Sequence, residues 1–193
     1  MVAIYHLLIL ASWLTFIASW ALLASRAKRS VGGRWSWPRK IALRLVILIL
    51  ILLPLHFLAA HHAVRTMRVY VVNTNLISGF AGAALCACGV TLAVWARVCL
   101  GRDWGMPMEE KAHFELVTHG PYATIRHPIY AGIILAILGS AIGQSVLWAI
   151  PLLIIGPYLI YSAGREEKMM TERFPNQYPS YLKRTRMIIP FIG

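Results

Sequence analysis

Acidic residues are what this chain has least of. Seven Asp and Glu stand against nineteen Lys and Arg, and charged residues make up only 13% of the 193. A soluble domain carries a charged fraction of about 25%, so a soluble all-α domain is excluded as the ordinary reading. Cysteine is also scarce. Cys86, Cys88 and Cys99 fall in one apolar run with no CxxC spacing, which argues against a disulfide framework or a zinc site. His56, His61 and His62 do not share one helix face and have no carboxylate nearby in sequence, so no metal is expected. Neither a GxGxxG nor a P-loop pattern is present, and no strand-like alternation would carry one. Any nucleotide-like cofactor must therefore be held by helices and loops. No Ser/His/Asp ordering stands out for acyl chemistry. The net charge of +12 comes from basic residues that flank apolar runs. Without aromatic-basic interleaving, they point to lipid headgroups and topology, not to nucleic acid.

What the chain has in quantity is apolar sequence: 59% hydrophobic residues and a mean hydropathy of +0.64. It reads as an all-α, multi-pass integral membrane bundle of about five transmembrane helices, forming one domain over 1–193. Residues 1–100 supply three N-terminal spans. Residues 101–193 supply a loop, a helical hairpin and a polar tail. The first span, 2–24, has no charge and is read as a retained helix, since no small-residue cleavage site and little positive charge mark a signal peptide. Arg26, Lys28, Arg29, Arg34, Arg39 and Lys40 follow with no acid among them. The positive-inside rule makes that loop cytoplasmic and the N-terminus external. A second span, 41–60, contains Pro54, where a kink is expected.

The third span, about 76–100, is rich in small residues. Gly79, Ala83 and Ala87 lie four apart, as do Ala84 and Cys88, a spacing that lets helices approach closely. Residues 101–128 form a long mixed-charge loop. Two apolar runs over 129–163 then read as a hairpin turning near Gly143 and interrupted by Pro151 and Gly156-Pro157. The tail, 164–193, returns to the cytoplasmic face. The mixed-charge loop, the hairpin mouth and the tail thus share one side, where the site is expected. No internal repeat, and no signal for oligomeric state, is present.

One stretch stands out: Gly120-Pro121-Tyr122-Ala123-Thr124-Ile125-Arg126-His127-Pro128-Ile129-Tyr130. Two prolines bound it and bias the residues before them away from helix. A cation, an imidazole and two phenols sit between apolar runs. Together with Arg165-Glu166-Glu167 they form the polar set from which chemistry would be built.

Leu116-Val117-Thr118-His119-Gly120-Pro121-Tyr122 and Arg126-His127-Pro128-Ile129-Tyr130-Ala131-Gly132 resemble the core motif of the isoprenylcysteine carboxyl methyltransferase family. Glu166-Glu167, Phe174, Tyr178, Tyr181, Arg186 and Pro190 are similar to that family's tail. The resemblance covers about residues 97–193. It implies an integral-membrane methyltransferase that uses S-adenosylmethionine. It also implies a cofactor site made by Leu116, Val117, Tyr122, His127, Pro128, Ile129, Tyr130 and Glu166. Arg126, Arg165, Glu166 and Glu167 are the expected catalytic residues. The implied acceptor is lipophilic and enters from the bilayer, among membrane lipids, while the cofactor enters from the cytoplasm.

Two departures bear on the acceptor. Where the family often has a histidine before the Leu-Val pair this chain has Phe114, with His113 one residue off. Where the carboxyl methyltransferases carry a substrate-side arginine it has Ser162; Arg165, the stand-in, lies about 60° away around a helix. A carboxylate acceptor benefits from bidentate arginine, whereas an amine acceptor needs a base, for which Glu166 or Glu167 is the choice. Alternatives to isoprenylcysteine O-methylation are therefore phospholipid N-methylation and thiol S-methylation. Further off lie a membrane reductase using a nicotinamide cofactor, as in the sterol reductases that resemble this hairpin, and a non-enzymatic transport or scaffold protein.

Overall fold

The computed structural model describes residues 4–24, 75–101 and 116–188. Five α-helices lie in these segments: α1 (Ile4–Ala24), α2 (Leu76–Leu100), α3 (Pro128–Gly143), α4 (Ala149–Arg173) and α5 (Tyr178–Arg184). Short 3-10 turns at Gly120–Ala123 and Val146–Trp148 lead into α3 and α4. The expected second span at 41–60 and the departure at Phe114 lie outside the described residues. Among the described residues, three stretches are long and apolar enough to cross a membrane: Ile4–Leu23, Leu76–Leu100 and Val146–Arg173. Helix α3, at 16 residues, is about 24 Å long and falls short of the roughly 30 Å hydrocarbon core.

Helices α1 and α2 run in the same direction. Tyr5 packs over Gly79 and meets Phe80 edge-to-face at 5.9 Å, while at the other end Arg97 Nη2 donates to the Leu23 carbonyl at 3.0 Å. Buried Tyr5, Ile9 and Trp13 build α1 into the core. The Trp13 indole donates to Ser140 Oγ at 3.0 Å and stacks on Trp148 at 5.4 Å, which ties α1 to the hairpin. Asn75 starts α2 by accepting from Ile77 N at 2.9 Å, satisfying a donor that a helix start leaves unpaired.

The closest packing is the antiparallel seam between α2 and α3. A Cβ at Gly82 would lie 2.3 Å from Gly143 N, one at Gly89 2.5 Å from the Gly132 carbonyl oxygen, and one at Gly139 2.4 Å from Cys86 N. Backbone touches backbone along Gly82-Cys86-Gly89-Ala93 and Gly132-Ala136-Gly139-Gly143. The small-residue spacing in α2 is therefore real, but the stripe is not the one expected. Ala84, Ala87 and Cys88 are exposed, and Gly79 is taken up by Tyr5. The reason is periodicity: spacings of four, three and four track one face of a 3.6-residue helix better than repeated fours.

The hairpin turns at Gln144 and Ser145, just after Gly143, as expected. Helix α4, however, is continuous through both prolines. Pro151 sits in its first turn, where the missing N–H is unpaired anyway. Pro157 only removes the donor to the Leu153 carbonyl. The first ten residues of the polar tail, 164–173, are helical and continue α4. Helix α4 runs ten residues past the apolar stretch to Arg173, because no breaker precedes Phe174-Pro175. That extension carries Glu166 and Glu167.

Gly89→Ala should destabilise the protein by about 1–3 kcal/mol, the usual cost of overpacking, seen as a lower unfolding midpoint in detergent. Gly156→Ala, with nothing within 4 Å of the added carbon, should change stability by no more than about 1 kcal/mol, toward greater stability. Equal effects would contradict the seam.

Candidate functional site

Three pieces of chain meet at one end of the bundle: the segment 116–130, the polar end of α4, and α5 with the residues after it. The approach to α3 is shaped by its prolines. Gly120 takes a φ of +61°, which an L side chain resists, and Pro121 opens the 3-10 turn. Pro128 is the first residue of α3, where it needs no N–H. Past the turn the chain makes a short bridge at Ile125. It pairs in parallel with the segment after α5: Arg186 N donates to Thr124 O at 2.9 Å, Arg126 N to Arg186 O at 2.7 Å, and His127 N to Met187 O at 3.0 Å. Tyr181 from α5 donates to the Tyr122 carbonyl at 2.7 Å. This fixes His127 by its backbone before any side-chain contact is made.

The side chains then converge. Arg126 Nε donates to Glu167 Oε1 at 2.6 Å, and its Nη1 reaches the carbonyls of Leu182 and Thr185. Tyr130 donates to Glu166 Oε1. The rings of His127 and Tyr130 stack at 5.5 Å, nearly parallel. His127 is 9% exposed and lies between the two carboxylates, with Nδ1 3.5 Å from Glu166 Oε2 and Nε2 3.3 Å from Glu167 Oε1. The second distance suits an ion pair, yet Nε2 has no aligned hydrogen-bond partner and is buried. The contact is therefore an ion pair without an aligned hydrogen bond, and the same Glu167 oxygen accepts from Arg126 Nε.

Electrostatics follow from this crowding. Burial pulls the His127 imidazole down, but Glu166 and Glu167 outweigh it and hold its pKa above the ordinary value of 6.5. Burial drives the Tyr122 hydroxyl far above its usual range; Tyr181, Cys99 and Glu166 add to the rise and Arg97 opposes it. Tyr178 is raised by burial and by Glu167. Tyr181 is pushed up to about 12 by burial, against Arg126 and Arg184, with a smaller rise from Glu167. The tyrosines are thus neutral donors at working pH.

Of the residues expected from sequence, Arg126, His127, Tyr130, Glu166 and Glu167 come together. Tyr122 is buried beside them, within electrostatic reach of Glu166. Pro128 is buried at the start of α3, and Leu116, Val117 and Ile129 are half-buried on the same segment. Arg165 points outward, exposed, and Ser162 is half-buried. Among the described residues no group of three His, Cys, Asp or Glu could hold a metal. Sequence reasoning missed the parts played by Thr185, Leu182 and Met187, which act through backbone carbonyls and leave no side-chain signal. It also missed buried Arg97, whose Nη1 donates to Gly101 O at 2.9 Å where α2 ends.

Residues 77–177, just over half the chain, match the model of the phospholipid methyltransferase family. The chain belongs to the phospholipid methyltransferase family. It is thereby a membrane methyltransferase, and members of such a class use S-adenosylmethionine. The matched residues include α2, the Arg126-His127-Pro128 block, α3 and both glutamates of α4. Relatives within reach of this chain are diverse. The nickel-cobalt-cadmium resistance protein NccN of Alcaligenes xylosoxydans xylosoxydans is 31% identical over 71% of this chain and 68% of its own. The cobalt-zinc-cadmium resistance protein CzcN of Cupriavidus metallidurans is 31% identical over 53% of this chain and 46% of its own. The protein-S-isoprenylcysteine O-methyltransferase of Tribolium castaneum is 30% identical over 58% of this chain and 41% of its own. The chain thus spans about two thirds of the first relative's length and under half of the other two.

The raised His127 pKa fixes the sign of a pH effect. Its contribution to stability is fully present below the unfolded value of 6.5 and is lost as pH rises through the folded pKa. The melting temperature of the wild type should therefore fall relative to His127→Gln as pH climbs above that value. Parallel curves for the two proteins would contradict the carboxylate cradle around His127.

Proposed function

We propose that this protein transfers a methyl group from S-adenosylmethionine to a lipophilic acceptor held at the membrane, and that the acceptor's reactive group is an amine of the phospholipid-headgroup class. The observation that carries the cofactor reading is the buried His127 Nε2, a polar atom without an aligned partner inside a ring of tyrosines and carboxylates. A buried unpaired donor is costly, and an anionic end of a bound molecule relieves that cost. The residues fit the cofactor in kind. Tyr122, Leu116, Val117 and Ile129 offer apolar and aromatic surface for adenine, Pro128 holds the start of α3 in place, and His127 offers a donor to a carboxylate. Tyr130 and Glu166 offer a polar edge to an ammonium group. S-adenosylmethionine supplies the methyl as a sulfonium.

The protein's own task is alignment, exclusion of water and management of a proton. Glu166 is the group placed to take a proton from an amine: Glu167 is occupied by Arg126, whereas Glu166 is held by Tyr130 at Oε1 and has Oε2 in a looser contact, 3.5 Å from His127 Nδ1. The same geometry supports an amine over a carboxylate. Among the described residues the guanidinium at the site, Arg126, already grips Glu167 and two carbonyls, and Arg165 is exposed, while the Glu166 carboxylate has no guanidinium on it. Such a field favours a cationic acceptor and opposes an anionic one. The Tribolium relative supports a second reading, an isoprenylcysteine carboxylate, in which Arg165 turns inward to bind it.

Calorimetric titration of the detergent-solubilised protein with S-adenosylmethionine should show micromolar binding. His127→Ala should weaken it by about tenfold or more, the worth of a hydrogen bond to a charged group. Labelled methyl should then pass to an aminophospholipid in vesicles. Transfer to a prenylcysteine and not to the lipid would overturn the amine reading, and no binding at all would overturn the methyl-transfer reading.

A further inference from the structure

The oxygen Glu167 Oε1 stands between two cations. Arg126 Nε reaches it at 2.6 Å and His127 Nε2 at 3.3 Å, but only the arginine makes a hydrogen bond. Arg126 achieves this while its Nη1 is anchored on the far side to the carbonyls of Leu182 and Thr185. Those carbonyls belong to α5 and the residue after it. Thr185 is itself fixed, its Oγ1 donating to Tyr181 O at 2.6 Å, and Tyr181 in turn grips Tyr122 O. The segment Tyr178–Met187 is thus a strap laid across the segment before α3, bridged to it at Ile125 and Arg186. It lies beyond residues 77–177, the stretch that carries the family match.

We infer that Arg126 is a positioning residue: anchored to the strap through Nη1, it holds Glu167 through Nε, and so keeps His127 Nε2 without an aligned hydrogen bond and able to donate to a bound ligand. The strap thereby becomes one wall of the site. The inference rests on the cofactor reading for the identity of that ligand, but not for the arrangement itself. A carboxylate left free beside a buried imidazole N–H would close onto it, since both gain a charge-assisted hydrogen bond. A guanidinium with separate Nε and Nη donors can bind in two directions at once, and a lysine ammonium is a single point charge without that fork. The groups facing His127 are Glu166 and Glu167 from α4 and Arg126 and Tyr130 from its own segment. Tyr178 and Tyr181 lie behind them on α5, in electrostatic reach of Glu167 and Arg126.

The test is Arg126→Lys in the full-length protein, with histidines labelled for NMR and His127 assigned through His127→Gln. With charge kept but the fork lost, Glu167 turns to His127. The His127 titration midpoint should rise, and affinity for S-adenosylmethionine should fall about tenfold, the worth of a hydrogen bond to a charged group. A merely structural arginine would weaken binding without moving the midpoint, so an unmoved midpoint in folded protein overturns the inference. A moved midpoint in a protein whose wild type binds no S-adenosylmethionine upholds the positioning role and sinks the cofactor reading instead. Should Arg126→Lys fail to fold, Tyr181→Phe decides. It loosens the strap that anchors Arg126 while leaving every charge in place, and should raise the His127 midpoint and weaken cofactor binding several-fold. A midpoint and a binding affinity both equal to wild type would overturn the inference.

Discussion

The seam between α2 and α3 is the constraint on which the rest is hung. Glycines on both helices bring backbone against backbone, so α3 has one depth and one rotation available relative to α2. A membrane interior offers little hydrophobic drive for helices to associate, and close packing of small residues takes its place. With α3 fixed at Gly132, Gly139 and Gly143, its first residue, Pro128, is fixed too. The Arg126-His127 pair immediately before it is then set at the mouth of the bundle. The hairpin returns α4 beside α3, and the length of α4 past its apolar stretch is what carries Glu166 and Glu167 to the same level.

The site is a balance of few charges. Two carboxylates, one guanidinium and one imidazole are packed where each is at least four-fifths buried. Partly buried charges of this kind persist when each is paired, and removing one partner costs about 3–5 kcal/mol. The pairing here is uneven. Glu167 is fully engaged by Arg126, Glu166 is held by Tyr130, and His127 is attracted to both without being aligned to the nearer carboxylate of Glu167. That residual imbalance separates a structural ion-pair cluster from a site with chemistry left over.

Much of this was legible in the sequence. The poverty of charge and the length of the apolar runs gave the helical membrane class, and α2 begins and ends at the residues the hydropathy predicts. The proline-bounded stretch and the Glu166-Glu167 pair pointed to residues that meet in space, because prolines, aromatics and charges leave marks in a sequence. Three features were not legible. The glycine stripe follows 82, 86, 89 and 93, and a sequence full of small residues allows several stripes until a partner helix selects one. The continuity of α4 past Pro157 was hidden, because a proline's effect depends on whether the freed carbonyl finds tolerance nearby. The strap was hidden as well, since it works through main-chain groups at Leu182, Thr185 and Met187 that every residue possesses.

The central claim is that the Arg126-His127 block, the end of α4 and the C-terminal strap enclose one cofactor site. The most direct measurement is an experimental structure of the protein with S-adenosylhomocysteine, the methyl-depleted product. The account predicts density for it bounded by Tyr122, His127, Tyr130 and Glu166, with a polar group of the ligand at His127 Nε2 and Arg126 still on Glu167. Density elsewhere in the bundle, or a ligand at this mouth that leaves His127 Nε2 untouched, would contradict it.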